Sequence, residues 1–133
     1  MLVLVVEDDD AIRETVGELL EGEGYACWLE PDADAALRRV ERDEALVRVI
    51  LLDLMMPGMS SASFVEHVRQ RPACAETRIV LMTAATESAV PGDLDVDGVL
   101  LKPFSVEQLL EMVAAAAGHT PPPFHDRHRH VAR

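Results

Sequence analysis

The stretch Arg48-Val49-Ile50-Leu51-Leu52-Asp53-Leu54-Met55-Met56-Pro57-Gly58 decides how the chain reads. Val49 to Leu52 is an unbroken apolar run with strong strand propensity, and it leads straight into Asp53. No polar residue interrupts it, so both faces need apolar cover, as in a central strand of a parallel sheet. Pro57-Gly58 then marks a turn. Asp53 would stand at the carboxyl end of a buried strand, the edge where open α/β sheets bind ligands. The ordinary alternative is that Asp53 simply starts the turn, a common place for aspartate. The rest of the chain has to choose between the two.

Working outward, four more short apolar runs have the same character. Leu2 to Val6 ends in Glu7-Asp8-Asp9-Asp10, Tyr25 to Leu29 follows, Ile79 to Met82 ends at Thr83, and Val99 to Leu101 ends at Lys102-Pro103. Helical patterns lie between them. Ile12, Val16, Leu19 and Leu20 share one face, Asp9 or Asp10 can cap the helix, with Asp10 assigned to the cap rather than to a metal, and Gly22 and Gly24 close it. Pro31-Asp32 opens a second helix with Ala36, Leu37 and Val40 inward. Ser60 or Ser61 caps a third, with Phe64, Val65 and Val68 on one side. Residues 84–96 are broken by Pro91-Gly92, which predicts a short or irregular fourth helix. The last helix opens on a capping box, Ser105 with Gln108, and carries Val106, Leu109, Leu110 and Val113 as its inward stripe. The alternation predicts an α/β fold, a doubly wound sheet of five parallel strands.

The domain is placed at 1–117. From Gly118 the composition turns to proline, histidine and arginine, which predicts a disordered tail over 118–133. His119, His125, His128 and His130 in that tail fit no common metal-site spacing. The chain has 133 residues, 49% of them hydrophobic, enough for one domain with its own core. Its net charge is −12, and 1–118 shows no basic stripe, which argues against direct nucleic-acid or membrane binding. No membrane span or signal segment is evident, and Cys27 and Cys74 read as free thiols in a reducing, cytoplasmic setting. The chain has a single lysine, Lys102, against eleven arginines. Ammonium and guanidinium are not interchangeable at a tight charged site, so the exception falls at a telling place.

Parallel strands would gather Glu7, Asp8, Asp53, Thr83 and Lys102 at one edge. Three carboxylates about 5 Å apart repel by roughly 3 kcal/mol per pair at an effective dielectric near 20. One ammonium does not offset that. An all-oxygen site implies a hard divalent cation, and Mg²⁺ takes one or two carboxylates while keeping room for phosphate oxygens. A cation, an ammonium and a hydroxyl around one carboxylate describe a phosphoryl site, with Asp53 as nucleophile. Each group also has a plain reading alone: Glu7 to Asp9 as helix-start charges, Thr83 as a strand-end hydroxyl, Lys102 as a surface cation. Met55, Met56 and Met59 read as pocket lining.

Val5-Val6-Glu7-Asp8-Asp9 with Arg13, Leu51-Leu52-Asp53-Leu54-Met55-Met56-Pro57-Gly58, Leu81-Met82-Thr83-Ala84 and Leu101-Lys102-Pro103-Phe104 resemble the receiver domain of two-component response regulators. The resemblance covers 1–117. It implies a flavodoxin-like sheet in the order 2-1-3-4-5. It also implies phosphorylation of Asp53 by a histidine kinase or a histidine phosphotransfer protein. Glu7, Asp8, Asp53 and the backbone carbonyl of Met55 would hold Mg²⁺, with Asp8 a direct ligand and Glu7 often acting through water. Thr83 and Lys102 would contact the phosphoryl oxygens, and Lys102–Pro103 would be cis. The chain would catalyse its own phosphorylation and slow dephosphorylation, and would turn over no external substrate.

Two departures stand out. Val99 occupies a place where the family usually has an aromatic that reports the switch. Only residues 84 to 101 separate Thr83 from Lys102, short for the family, which puts in doubt both dimerisation and partner docking through the fourth helix. Any homodimer is expected to be weak. Met55 and Ala85, at positions that tune phosphoryl lifetime, cannot hydrogen-bond an attacking water strongly. The expectation is a stand-alone receiver that signals through altered partner affinity, its downstream target unnamed, with no room after the last helix for a DNA-binding domain. The alternative is a phosphorylation-independent interaction module. A small aspartyl phosphatase ranks below both, because Met55 stands where a second acid would be needed.

Overall fold

Short uninterrupted runs rich in Val, Leu, Ile and aromatic residues form strands, and here the five such runs become neighbouring strands of one sheet. The computed structural model describes residues 1–43, 46–54, 56, 58–84, 92 and 94–118, and the backbone of 130–132. In chain order the elements are β1 (Leu2–Val6), α1 (Asp10–Gly22), β2 (Ala26–Glu30), α2 (Ala33–Arg42), β3 (Val47–Asp53) and α3 (Ser61–Arg69). A single 3₁₀ turn, Pro72–Cys74, leads to β4 (Arg78–Thr83), β5 (Gly98–Leu101), α4 (Val106–Ala116) and β6 (His130–Ala132).

The sheet is parallel throughout, in the order β2-β1-β3-β4-β5-β6. Its first five strands have the expected order, 2-1-3-4-5. Side chains alternate across the sheet and split the core into two layers. Leu4, Val6, Ile50, Leu52, Ile79, Leu81 and Val99 pack under α2 and α3. Val3, Val5, Val49, Leu51, Val80, Met82 and Leu100 pack under α1 and α4. Both faces of β3 are therefore covered, which is why its sequence shows no polar alternation.

Helix starts follow local chemistry. Asp9, not Asp10, is the cap of α1, accepting from the Ile12 amide at 3.0 Å. Asp10 lies in the first turn and pairs with Arg13. Asp32 and Ser60 cap α2 and α3, and the capping box of Ser105 and Gln108 is complete. Val106, read as part of the inward stripe of α4, is 48% exposed, because it sits in the first turn and faces the α1 side of a groove rather than the sheet. Met56 and Met59 are partly buried and pack against the α2–α3 core layer, and Met55 lies outside the described residues. Cys27 and Cys74 are both free. Burial, helped by the Glu21 charge, pushes the Cys27 thiol up to about 11, which leaves it unreactive near neutral pH.

The irregular helix expected over 84–96 falls largely on residues outside those described, and Ala84, Gly92 and Leu94–Asp97 are not helical. The tail expectation needs a correction at its end. His130–Ala132 is not disordered but adds a sixth strand beside β5, because the outer edge of β5 otherwise presents unpaired backbone groups. His119, His125 and His128 lie outside the described residues.

At the amino-terminal edge of the sheet a polar network ties α3, β4 and β5 together. Asp97 is fully buried. It accepts from Arg69 Nη2 at 2.8 Å, Arg78 Nη1 at 3.1 Å and the Ile79 amide at 2.9 Å. Arg69 also donates to the carbonyls of Thr77 and Asp95, and the buried Thr77 hydroxyl donates to the Val47 carbonyl at 2.6 Å. Removing one member of a buried ionic network strands the others. Asp97→Ala should therefore lower the unfolding free energy by about 3–5 kcal/mol in urea titrations. A loss below about 1 kcal/mol would mean the network is only decorative.

Candidate functional site

Register alone brings the candidate residues together. Val6 pairs with Leu52, so the next residues, Glu7 and Asp53, lie side by side where β1 and β3 end. Asp53 pairs with Met82, so Thr83 stands one step beyond it on β4. Thr83 pairs with Leu101, so Lys102 emerges one step beyond β5, its amide donating to the Thr83 carbonyl at 2.7 Å. Four adjacent strands thus deliver two carboxylates, a hydroxyl and an ammonium to one edge. Asp8 completes the acidic set from the turn into α1.

Glu7, Asp8 and Asp53 each offer a carboxylate oxygen within 4.8 Å of the other two. Glu7 is fully buried, Asp53 is 4% exposed, Thr83 is fully buried and Asp8 is exposed. Lys102 Nζ donates to Glu7 Oε1 at 2.6 Å and lies 3.6 Å from Asp53 Oδ2. The other Glu7 oxygen, Oε2, is buried and receives no hydrogen bond among the described residues. Burial first, then the adjacent Asp53 carboxyl, raises the Glu7 pKa to about 7, while Lys102 pulls it down. An oxygen in that position is satisfied by a proton shared with Asp53 or by a cation. The donor set fits Mg²⁺: hard oxygens, a buried unpartnered acceptor and an exposed side at Asp8 open to water and phosphate. The Met55 carbonyl, the fourth expected ligand, falls outside the described residues, as does Ala85.

The surrounding loops hold this edge in place. The Leu54 amide donates to the Met82 carbonyl at 3.0 Å, and Ser61 Oγ donates to the Leu54 carbonyl at 3.3 Å. Arg13 Nη1 donates to the Glu7 carbonyl at 2.9 Å. Gly58 adopts φ +92°, and a Cβ there would sit 3.0 Å from Asp34 Oδ2. The conformation is what favours glycine here, and a side chain would in addition press on the Asp34 carboxylate. The Lys102–Pro103 peptide is cis. Sequence reasoning missed Ser61 and Asp34; nothing in their local sequence marks them, since each acts across a loop.

The family model that describes the response regulator receiver domain matches residues 3–114. The chain belongs to that family. It is 31% identical over 113 residues to the sensory transduction protein RegX3 of Mycobacterium tuberculosis, covering 85% of this chain and 49% of that one. It is 34% identical over 116 residues to the phosphate regulon transcriptional regulatory protein PhoB of Escherichia coli, covering 85% and 50%. The chain spans about half the length of the curated relatives it matches. Among solved structures, the chemotaxis response regulator CheY4 of Vibrio cholerae superposes with a TM-score of 0.79 at 32% identity, covering 86% of this receiver and 97% of that chain. Among the described residues no helix is long and apolar enough to cross a membrane.

The raised pKa of Glu7 sets a direction for stability. The metal-free native state holds this proton more tightly than the unfolded chain, whose glutamate titrates near its ordinary value of 4.5. The stabilisation is complete below that value and is lost as pH rises to about 7. In EDTA the midpoint of thermal unfolding should therefore fall across this window, and Glu7→Gln should flatten the fall. Parallel slopes for the two proteins would show that Glu7 does not titrate as described.

Proposed function

We propose that this receiver accepts a phosphoryl group on Asp53 from a phosphohistidine donor in a Mg²⁺-dependent reaction, and signals by changing its affinity for a protein partner. The observation that carries the proposal is the buried, unpartnered Glu7 Oε2 beside Asp8 and Asp53, with one ammonium in reach. One ammonium stands against three carboxylates, and the cluster is open at the exposed Asp8.

An Asp53 carboxylate oxygen attacks phosphorus in line, the new O–P bond forms and the P–N bond to the donor imidazole breaks, the nitrogen keeping the electron pair. Bound Mg²⁺ would supply charge neutralisation for the phosphoryl oxygens, held by Asp8, Asp53 and the Met55 carbonyl, with Glu7 through water. Lys102, held at the edge by Glu7, would pair with a phosphoryl oxygen, and the Thr83 hydroxyl would donate to another. An apolar groove of about 530 Å³ lined by Ile12, Thr15, Leu19, Pro103, Phe104 and Val106 begins beside Lys102. Such a groove is of the kind that seats the apolar face of a helix from a protein donor. The transcriptional output named for the longer relatives is not carried over to this chain.

A second reading, a phosphorylation-independent interaction module, draws on Val99. It is fully buried against the α2–α3 core layer, with no ring at that position to move between core and surface. The two readings separate in one experiment. Incubation with acetyl phosphate and Mg²⁺ should add one phosphoryl group by intact mass, and Asp53→Asn or EDTA should abolish it. Failure with acetyl phosphate and also with a phosphohistidine protein donor would leave the module reading standing.

The lifetime of the phosphorylated form gives a further check. Met55 and Ala85 offer no hydrogen bond to an attacking water, so loss of the phosphoryl group should be slow. Met55→Asn should shorten the lifetime by roughly tenfold, in line with the general effect of positioning a water. A half-life of seconds in the unaltered protein would contradict this.

A further inference from the structure

The two flanks of the five-strand sheet are built differently. On β2, Ala26 is exposed and Cys27 to Glu30 are half-buried. On β5, Gly98, Val99 and Leu100 are buried, and exposure returns only at Leu101. The difference follows the reach of β6. His130, Val131 and Ala132 lie parallel to β5, opposite Gly98, Val99 and Leu100, and among the described residues Leu101 has no partner there.

The sequence of β5 fits an interior strand and not an edge. Open edges are usually protected by charge, proline or a bulge, and Gly98-Val99-Leu100-Leu101 has none of these. By contrast β2 carries Glu30, and the Arg39 guanidinium sits over Trp28 at 4.4 Å from the ring centroid. Charge favours the tail as the cover. Three of the twelve cationic side chains and one of the twenty-four acidic ones fall in 119–133. That segment therefore carries +2 with histidines neutral, leaving −14 on 1–118. A fully extended chain from Gly118 to His130 could span about 40 Å, so the tether does not restrict the docking.

We propose that the outer edge of β5 is a binding site for an extended peptide strand, and that its resident ligand is the chain's own C-terminal segment around His130–Ala132. The ligand class is a short, basic segment with a small apolar centre, held in parallel register by main-chain hydrogen bonds. A three-residue strand belongs to the weakly held end of a fold, so it opens locally far more often than the core. A tether of this length holds it at an effective concentration of order millimolar. The segment therefore acts as a releasable cover: another strand reaches this edge only by displacing it.

The test uses the full chain with His130→Pro and Val131→Pro combined. Successive residues of a strand aim their N–H groups at opposite edges, so two adjacent prolines remove at least one bond to β5 in either arrangement. Amide hydrogen exchange at the alternate residues of Gly98–Leu101 whose N–H groups face β6 should quicken by roughly tenfold or more in the variant, with β3 and the amides facing β4 unchanged. A synthetic peptide of residues 127–133, added at several times the effective concentration of about 1 mM, should restore the protection. Equal exchange in the two proteins, or a peptide that restores nothing, would overturn the proposal.

Discussion

Three carboxylates held within 4.8 Å of one another with one ammonium beside them is the constraint on which this structure turns. A free chain would separate them. The parallel register keeps them together, because Glu7, Asp53, Thr83 and Lys102 each follow the last paired residue, or stand at it, on four neighbouring strands. The apolar layers under both helix pairs hold that register, since sliding one strand by a residue would turn its buried face to the other side. Core packing and site geometry are thus one arrangement, and the repulsion at the edge is offset by burial beneath it.

The two ends of the same sheet show how buried charge differs between framework and site. At the amino-terminal edge, Asp97 meets two guanidiniums and a backbone amide. At the carboxyl edge, Glu7 has a lysine on one oxygen and, among the described residues, no hydrogen-bond donor on the other, and its pKa is driven up to about 7. A satisfied network rigidifies, whereas an unsatisfied one stores affinity for whatever completes it. That asymmetry, more than the presence of acids, marks the carboxyl edge as the place where a cation and a phosphoryl group belong.

Much of this was legible in the residues. Apolar runs too short for helices and unbroken by polar residues gave the strands, and the charged groups closing those runs gave the candidate site. What the sequence concealed depends on distant partners. Asp97 belongs to an aspartate-spaced stretch that reads as irregular, and its role exists only once Arg69 and Arg78 arrive from α3 and β4. Asp9 and Asp10 are equivalent caps on paper, and the path of the chain chooses Asp9. Val106 keeps the helical period yet faces a groove, because the first turn of α4 projects past the sheet. His130–Ala132 has a composition that reads as disorder, and its pairing depends on an edge that β5 leaves open.

The central claim is that the clustered carboxylates at the strand ends form one cation site. A Mg²⁺ titration followed by amide and side-chain NMR tests it most directly. The account predicts a single saturable site, with the largest shifts at Glu7, Asp8, Asp53 and Lys102, and loss of those shifts in Asp53→Asn. Shifts scattered over the acidic surface of α1, or saturation unaltered by Asp53→Asn, would contradict it.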